Sequence, residues 1–213
     1  MDTSRESILN SIRQSLGRYM LGVTTEQSLT SSLKNPAQHI KPQWEQDNLQ
    51  RFITQLETVA GTYEHIRSIN QFPKAVLAFM KQHQLQSEVL CDAKLQVLCQ
   101  WSAEISLLRR AAQAGDNISV GYAFAGIAET GSIAMLSGEN NPTSFNFLPD
   151  NQIVLLEKKN IVSHIEDVWQ ALRHQALSPR TVNIITGPSR TADIEQTIQL
   201  GAHGPRHLHI VIV

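Results

Sequence analysis

Between Asn117 and Pro149 the chain carries no lysine or arginine, and five of its 11 glycines fall at 115, 121, 126, 131 and 138. Strands buried on both faces and joined by glycine turns have this character. They are expected at residues 118–125, 132–136 and 153–156.

Around this stretch, helical and β-rich runs alternate. Leu49, Phe52, Ile53, Leu56 and Val59 recur at helical spacing and stop at Gly61. Residues 63–66 and 88–91 read as strands. Between them lies a helix opened by Pro73 and lined by Val76, Phe79 and Met80. Residues 93–100 read as a helix or short turn, and Ile165, Val168, Trp169 and Leu172 mark a further amphipathic helix. The end of the chain predicts one more unit: strand 182–186, a turn, helix 191–200 with Ile194 and Ile198 inward, turn 201–205 and strand 208–213. Such alternation implies crossovers and a largely parallel sheet. The fold class is therefore α/β, a Rossmann-like sheet with flanking helices.

The beginning differs. Ile8, Leu9, Ile12 and Leu16 predict a short helix over 4–17. Residues 18–47, rich in Ser, Thr, Gln, Asn and Pro, read as a linker or loosely attached arm. The expected division is an N-terminal helix and polar arm, 1–47, and a main domain, 48–213.

Charge and cysteine usage narrow the function. Lys and Arg number 18 against 19 Asp and Glu, a formal net charge of −1. No field of one sign recruits nucleic acid or an anionic membrane. Cys91 and Cys99 do not have zinc or iron–sulfur spacing, and a reduced pair fits the cytosol. The N-terminus Met1-Asp2-Thr3-Ser4-Arg5-Glu6 lacks an apolar signal core, and no apolar run approaches the ~20 residues that span a bilayer. A cytoplasmic location is expected.

Three segments can carry chemistry. In Gly126-Ile127-Ala128-Glu129-Thr130-Gly131-Ser132 an acid sits in an apolar stretch. A strand ending there would set the Glu129 carboxylate at the rim of the sheet, where parallel α/β sheets bind ligands. Glu129 is the candidate base or nucleophile, with Thr130, Gly131 and Ser132 as ligand contacts. The plainer reading has Glu129 accepting hydrogen bonds from its own turn.

The second segment is Gly187-Pro188-Ser189-Arg190-Thr191-Ala192-Asp193. A glycine turn feeding a helix start exposes backbone N–H groups to an anion, Ser189 and Thr191 add hydroxyls, and Arg190 can pair with a carboxylate. Asp193 and Glu195 disfavour a phosphate and favour a small carboxylate or polyol; alternatively they serve only the helix end. The third is His203-Gly204-Pro205, followed by His207 and His209 on one strand face. Two histidines without a third ligand make a poor zinc site, so His203 and Gly204 are expected as turn or pocket residues and no metal is assigned.

Several of these motifs occur together. Ala128-Glu129-Thr130-Gly131-Ser132, Phe147-Leu148-Pro149, the run from Gly187 to Glu195 and Gly201-Ala202-His203-Gly204-Pro205 follow in that order. In this the chain resembles the LUD domain family, in its lactate-utilisation protein C group. The start, from Ile8 to Arg18, is similar as well. The resemblance implies that 48–213 is a LUD domain with a fold like the CoA-transferase and ribose-phosphate-isomerase group. It further implies a part in bacterial oxidation of L-lactate to pyruvate beside iron–sulfur partner proteins. Any clusters belong to those partners, because this chain lacks cysteine runs. Many relatives carry a basic residue shortly before a Ser-Leu-Leu-Pro segment, whereas residues 139–149 have none.

Three functions follow. One is an accessory or substrate-contacting subunit of a lactate-oxidising system. Another is a stand-alone enzyme, since Glu129-Thr130-Gly131 resembles the Glu-x-Gly of enzymes that form a glutamyl–CoA thioester. The last is a regulatory or scaffold protein.

Overall fold

The computed structural model describes residues 3–17, 22–34, 40–138, 141–192, 198–200 and 204–213. It divides into two units, Met1–Pro42 and Gln43–Val213. The first holds α1 (Thr3–Ser15) and α2 (Val23–Lys34). Ile8, Ile12 and Leu16 lie exposed along α1. The stretch expected to be a linker thus contains a helix. Its apolar positions, Val23, Leu29 and Leu33, are too few among Ser and Thr residues to mark a period.

The second unit begins with α3 (Asn48–Thr58), whose first turn is capped by the Asp47 carboxylate accepting from Gln50 N. Then come β1 (Thr62–His65), α4 (Phe72–Gln82), β2 (Glu88–Cys91), α5 (Ala93–Leu98) and β3 (Ser106–Leu108). The basic-free stretch supplies β4 (Ile118–Tyr122), β5 (Ala125–Ile127) and β6 (Ser132–Leu136). After β7 (Asn151–Leu156) follow β8 (Ile161–Val162), α6 (Ile165–His174), β9 (Val182–Ile185), β10 (Arg190–Ala192), β11 (Ile198–Leu200) and β12 (His207–Ile212).

Six strands form a wholly parallel sheet in the order β1-β12-β7-β4-β2-β3. Every residue of β7 is buried, as a central parallel strand covered on both faces requires. On one face α4 and α5 pack Phe72, Val76, Phe79 and Leu95 against Val120, Ile153 and Val211. On the other, Phe52 and Leu56 of α3 join Val154, Ile210, Ile133 and Met135. Phe52, Leu56 and Phe72 are fully enclosed, each such side chain contributing about 1.5–3 kcal/mol.

The expected single strand 118–125 is instead two. β4 belongs to the parallel sheet, and β5 joins a second sheet ordered β8-β5-β6-β9. In that sheet β5 and β6 form an antiparallel hairpin, β6 pairs antiparallel with β9, and β8 runs parallel to β5. Val168 and Leu172 of α6 cover it beside Ala125, Ile127 and Ala134. The helix expected over 191–200 is likewise corrected. Arg190–Ala192 pairs antiparallel with Ile198–Leu200, and strand pairing suits the β-branched Thr191 and Ile198.

Candidate functional site

The glutamate turn joins β5 to β6. Gly131 N donates to Ile127 O at 2.9 Å, and Gly131 adopts φ 66°. A Cβ here would meet the backbone of Gln55 and Leu56, so the glycine serves close packing on α3. The turn closes a hairpin of the second sheet. Glu129 therefore does not stand at the rim of the parallel sheet, contrary to the expectation from sequence.

The Glu129 side chain turns toward His164, its Oε2 lying 3.1 Å from Nδ1. His164 is buried, lies tilted against Trp44 with ring centroids 4.8 Å apart, and precedes α6. Its backbone N donates to Asp167 at 2.9 Å, which anchors its main chain at the start of α6. Glu129 N also donates to Ser163 O at 3.0 Å. A carboxylate and an imidazole so placed can share or pass a proton. Among the described residues no hydroxyl or thiol nucleophile bonds to either group.

Thr130 and Ser132 lead elsewhere. Thr130 Oγ1 lies 2.7 Å from Ser132 Oγ, which lies 2.7 Å from Thr186 Oγ1. This hydroxyl chain fastens the glutamate turn to the segment that follows β9. That segment, Gly187-Pro188-Ser189-Arg190, lines a cavity of about 450 Å³. Thr186, Asn146, Phe147, Val59 and Gly204-Pro205 complete much of its wall. Ser189 N donates to Pro205 O at 2.8 Å and Arg206 N to Asp150 O at 2.7 Å, tying three loops together. Gly187 adopts φ 71°, and a Cβ on it would meet Val59.

This cavity borders the loops that lead into β7 and β12. It is therefore at the amino ends of those strands, away from the carboxyl ends where parallel sheets usually take ligands. Arg190 is the only charged side chain among the described lining residues. Asn146, buried on the floor, accepts at Oδ1 from Gln152 Nε2 at 2.8 Å, which leaves its Nδ2 as the free donor. Arg190, the Ser189 and Thr186 hydroxyls and the Asn146 amide thus make a donor-rich wall suited to a small carboxylate. Because Arg190 opens a strand, no helix start contributes amides or a dipole.

The sequence candidates separate accordingly. Gly187, Pro188, Ser189, Arg190 and Gly204 line the cavity. Glu129, Thr130, Gly131 and Ser132 stand outside its wall and brace it through Thr186. Thr191 lies on β10, while Asp193 and His203 lie outside the described residues. Sequence reading missed Asn146, Thr186 and His164. Asn146 stands directly before the Phe147-Leu148-Pro149 motif, and Thr186 directly before Gly187, so both were adjacent to recognised signals.

The paired histidines on β12 form a separate group. His207 Nδ1 lies 2.8 Å from Asn151 Oδ1, and His209 Nδ1 lies 2.8 Å from Thr62 Oγ1. His83 of the α4 end sits 4.9 Å from the His207 ring and stacks on Phe79 at 4.2 Å. Burial pushes the pKa of both His207 and His209 down. Among the described residues no three His, Cys, Asp or Glu side chains are arranged to hold a metal ion. No helix among them is long and apolar enough to cross a membrane.

Comparison with known proteins agrees with the motifs. The LUD domain family matches residues 49–213. Lactate utilization protein C of Halalkalibacterium halodurans is 26% identical over 98% of this chain and 97% of its own length. The Bacillus velezensis protein of the same name is 27% identical over 99% and 96%. The crystal structure of a DUF162 family protein from Deinococcus radiodurans superposes with TM-score 0.57 at 17% identity, covering 81% of this chain and 99% of that one. That likeness extends the α/β architecture beyond this sequence. With a match running from α3 to the end of the last strand, the chain belongs to the LUD domain family.

Proposed function

We propose that this protein is an accessory, substrate-contacting subunit of a bacterial L-lactate utilisation system. It acts with iron–sulfur proteins that carry the electrons as lactate is oxidised to pyruvate. The carrying observation is the cavity at Gly187–Arg190, whose described lining has a single charge, one guanidinium, set among hydroxyl and amide donors. Lactate and pyruvate are small carboxylates with one adjacent oxygen. Arg190 meets the carboxylate, and Ser189 or Asn146 meets the second oxygen. The near full-length similarity to proteins named lactate utilization protein C supports the same reading. Residues 139–149 carry no basic side chain, so in this reading Arg190 takes the place of the basic residue that many relatives carry there.

Cys91 and Cys99 are buried and unpaired. Burial pushes the Cys91 thiol up, and the spacing of the two cysteines is not that of a cluster motif. Electron carriers are therefore assigned to partners. Glu129, held by His164 and outside the cavity wall, is better placed as a brace than as an acyl-CoA nucleophile.

The test is a clean deletion in a lactate-utilising host. Growth on L-lactate should fail and return with the wild-type gene but not with Arg190→Ala. Normal growth of the deletion on lactate overturns the reading.

A further inference from the structure

A second cavity, of about 370 Å³, lies at the carboxyl ends of β2 and β3 and takes no part in the function proposed above. It sits where the strand order turns back. From β2 the chain moves out to β3 at the sheet edge, then returns to β4 on the other side of β2. Crevices outside the carboxyl ends of strands at such a reversal are where open α/β sheets bind ligands.

Its wall and its mouth differ in chemistry. Phe145 and Pro142 face Ala93 and Ala111 across an apolar space. Phe145 is fixed there by packing with Leu90 and Ala112 and by Ser119 Oγ, which donates to its carbonyl at 2.7 Å. The mouth carries Arg109 and Arg110. Arg110 is held by Asp116 through two hydrogen bonds, of 2.8 Å and 2.6 Å, and Asp116 in turn accepts from Gln113 N at 2.7 Å. Arg109 is exposed and makes no hydrogen bond or ion pair among the described residues. One uncompensated positive charge thus stands over an apolar crevice.

The neighbouring groups narrow where the charge of a ligand can go. Asp92 already accepts from Lys94 N at 2.7 Å, so the amides opening α5 are taken by a carboxylate. The buried Cys91 thiol offers a neutral wall.

We infer that this crevice binds a small organic anion with an aromatic or branched apolar body. The body lies against Phe145 and Pro142, and the anionic end meets Arg109, with Arg110 as a second donor held in place by Asp116. The site is independent of the cavity at Gly187–Arg190.

Phenyl phosphate titrated into the full-length, isotope-labelled protein tests this, followed by backbone amide shifts, with inorganic phosphate as a parallel arm. The expected result is one saturable site with shifts centred on Ala93, Ala111 and Phe145. Arg109→Ala should weaken it about tenfold, the usual scale for losing a charged hydrogen bond. Ala111→Trp, which fills the mouth from an exposed position, should abolish it, while Arg190→Ala in the other cavity should not. Unshifted signals elsewhere report that each variant is folded. Absence of saturable shifts, equal shifts with inorganic phosphate, or indifference to Arg109→Ala overturns the inference.

Discussion

Ser132 and Thr186, 54 residues apart in sequence, hold their hydroxyl oxygens 2.7 Å apart where β6 and β9 run antiparallel. This contact joins the glutamate turn to the wall of the carboxylate cavity. Ser132 is almost wholly buried, so its hydroxyl has no water to fall back on.

The pair should therefore be coupled. Ser132→Ala and Thr186→Val each cost stability, and the double variant costs less than their sum by about 0.5–1.5 kcal/mol. Urea unfolding of the four proteins measures this, and strict additivity would show that the hydroxyls do not interact.

Gly131 and Gly187 should tolerate no side chain. Both adopt positive φ, and an added Cβ on either would press on the end of α3 or the residue just after it, at Leu56 and at Val59 respectively. Ala at either position should cost about 2 kcal/mol or more, combining left-handed strain with overpacking. Gly22→Ala, where an added Cβ meets nothing, should stay within about 0.5 kcal/mol. Denaturation midpoints compare the three.

Stability should fall on mild acidification. His207 is depressed by burial, by nearby His83 and by Arg206, against an opposing pull from Asp150. His209 is depressed by burial, with Glu64 opposing. Both native pKa values thus lie below the ordinary value of about 6.5. Above it neither state holds the proton and there is no penalty. Below it the unfolded chain takes up protons first, so stability drops with pH until the native values are passed. Urea unfolding between about pH 7 and 5.5 should show that slope, and His207→Gln with His209→Gln should flatten it.

Much of this architecture was legible in the sequence because burial imposes a period. β2 and β6 appear where their apolar runs place them, and α3 follows Phe52, Ile53 and Leu56. The break between β4 and β5 was not visible, because Ala123 and Phe124 are as apolar as the strands they separate. The antiparallel pair that starts at Arg190 was misread because Ile194 and Ile198 fit a helical spacing, which the pairing of Arg190–Ala192 with Ile198–Leu200 overrides. The cavity wall was half visible: Ser189 and Arg190 sit in a marked turn, but Asn146 joins them only through the fold. Glu129 stood out as an acid among apolar residues, yet its partner His164 comes from another element.

Calorimetric titration of the purified protein with L-lactate and with pyruvate tests the central claim most directly. One saturable site of about 1 mM affinity or tighter is predicted for at least one of them, weakened about tenfold or more by Arg190→Ala. No saturable binding of either acid, or equal affinity in Arg190→Ala, would contradict the account.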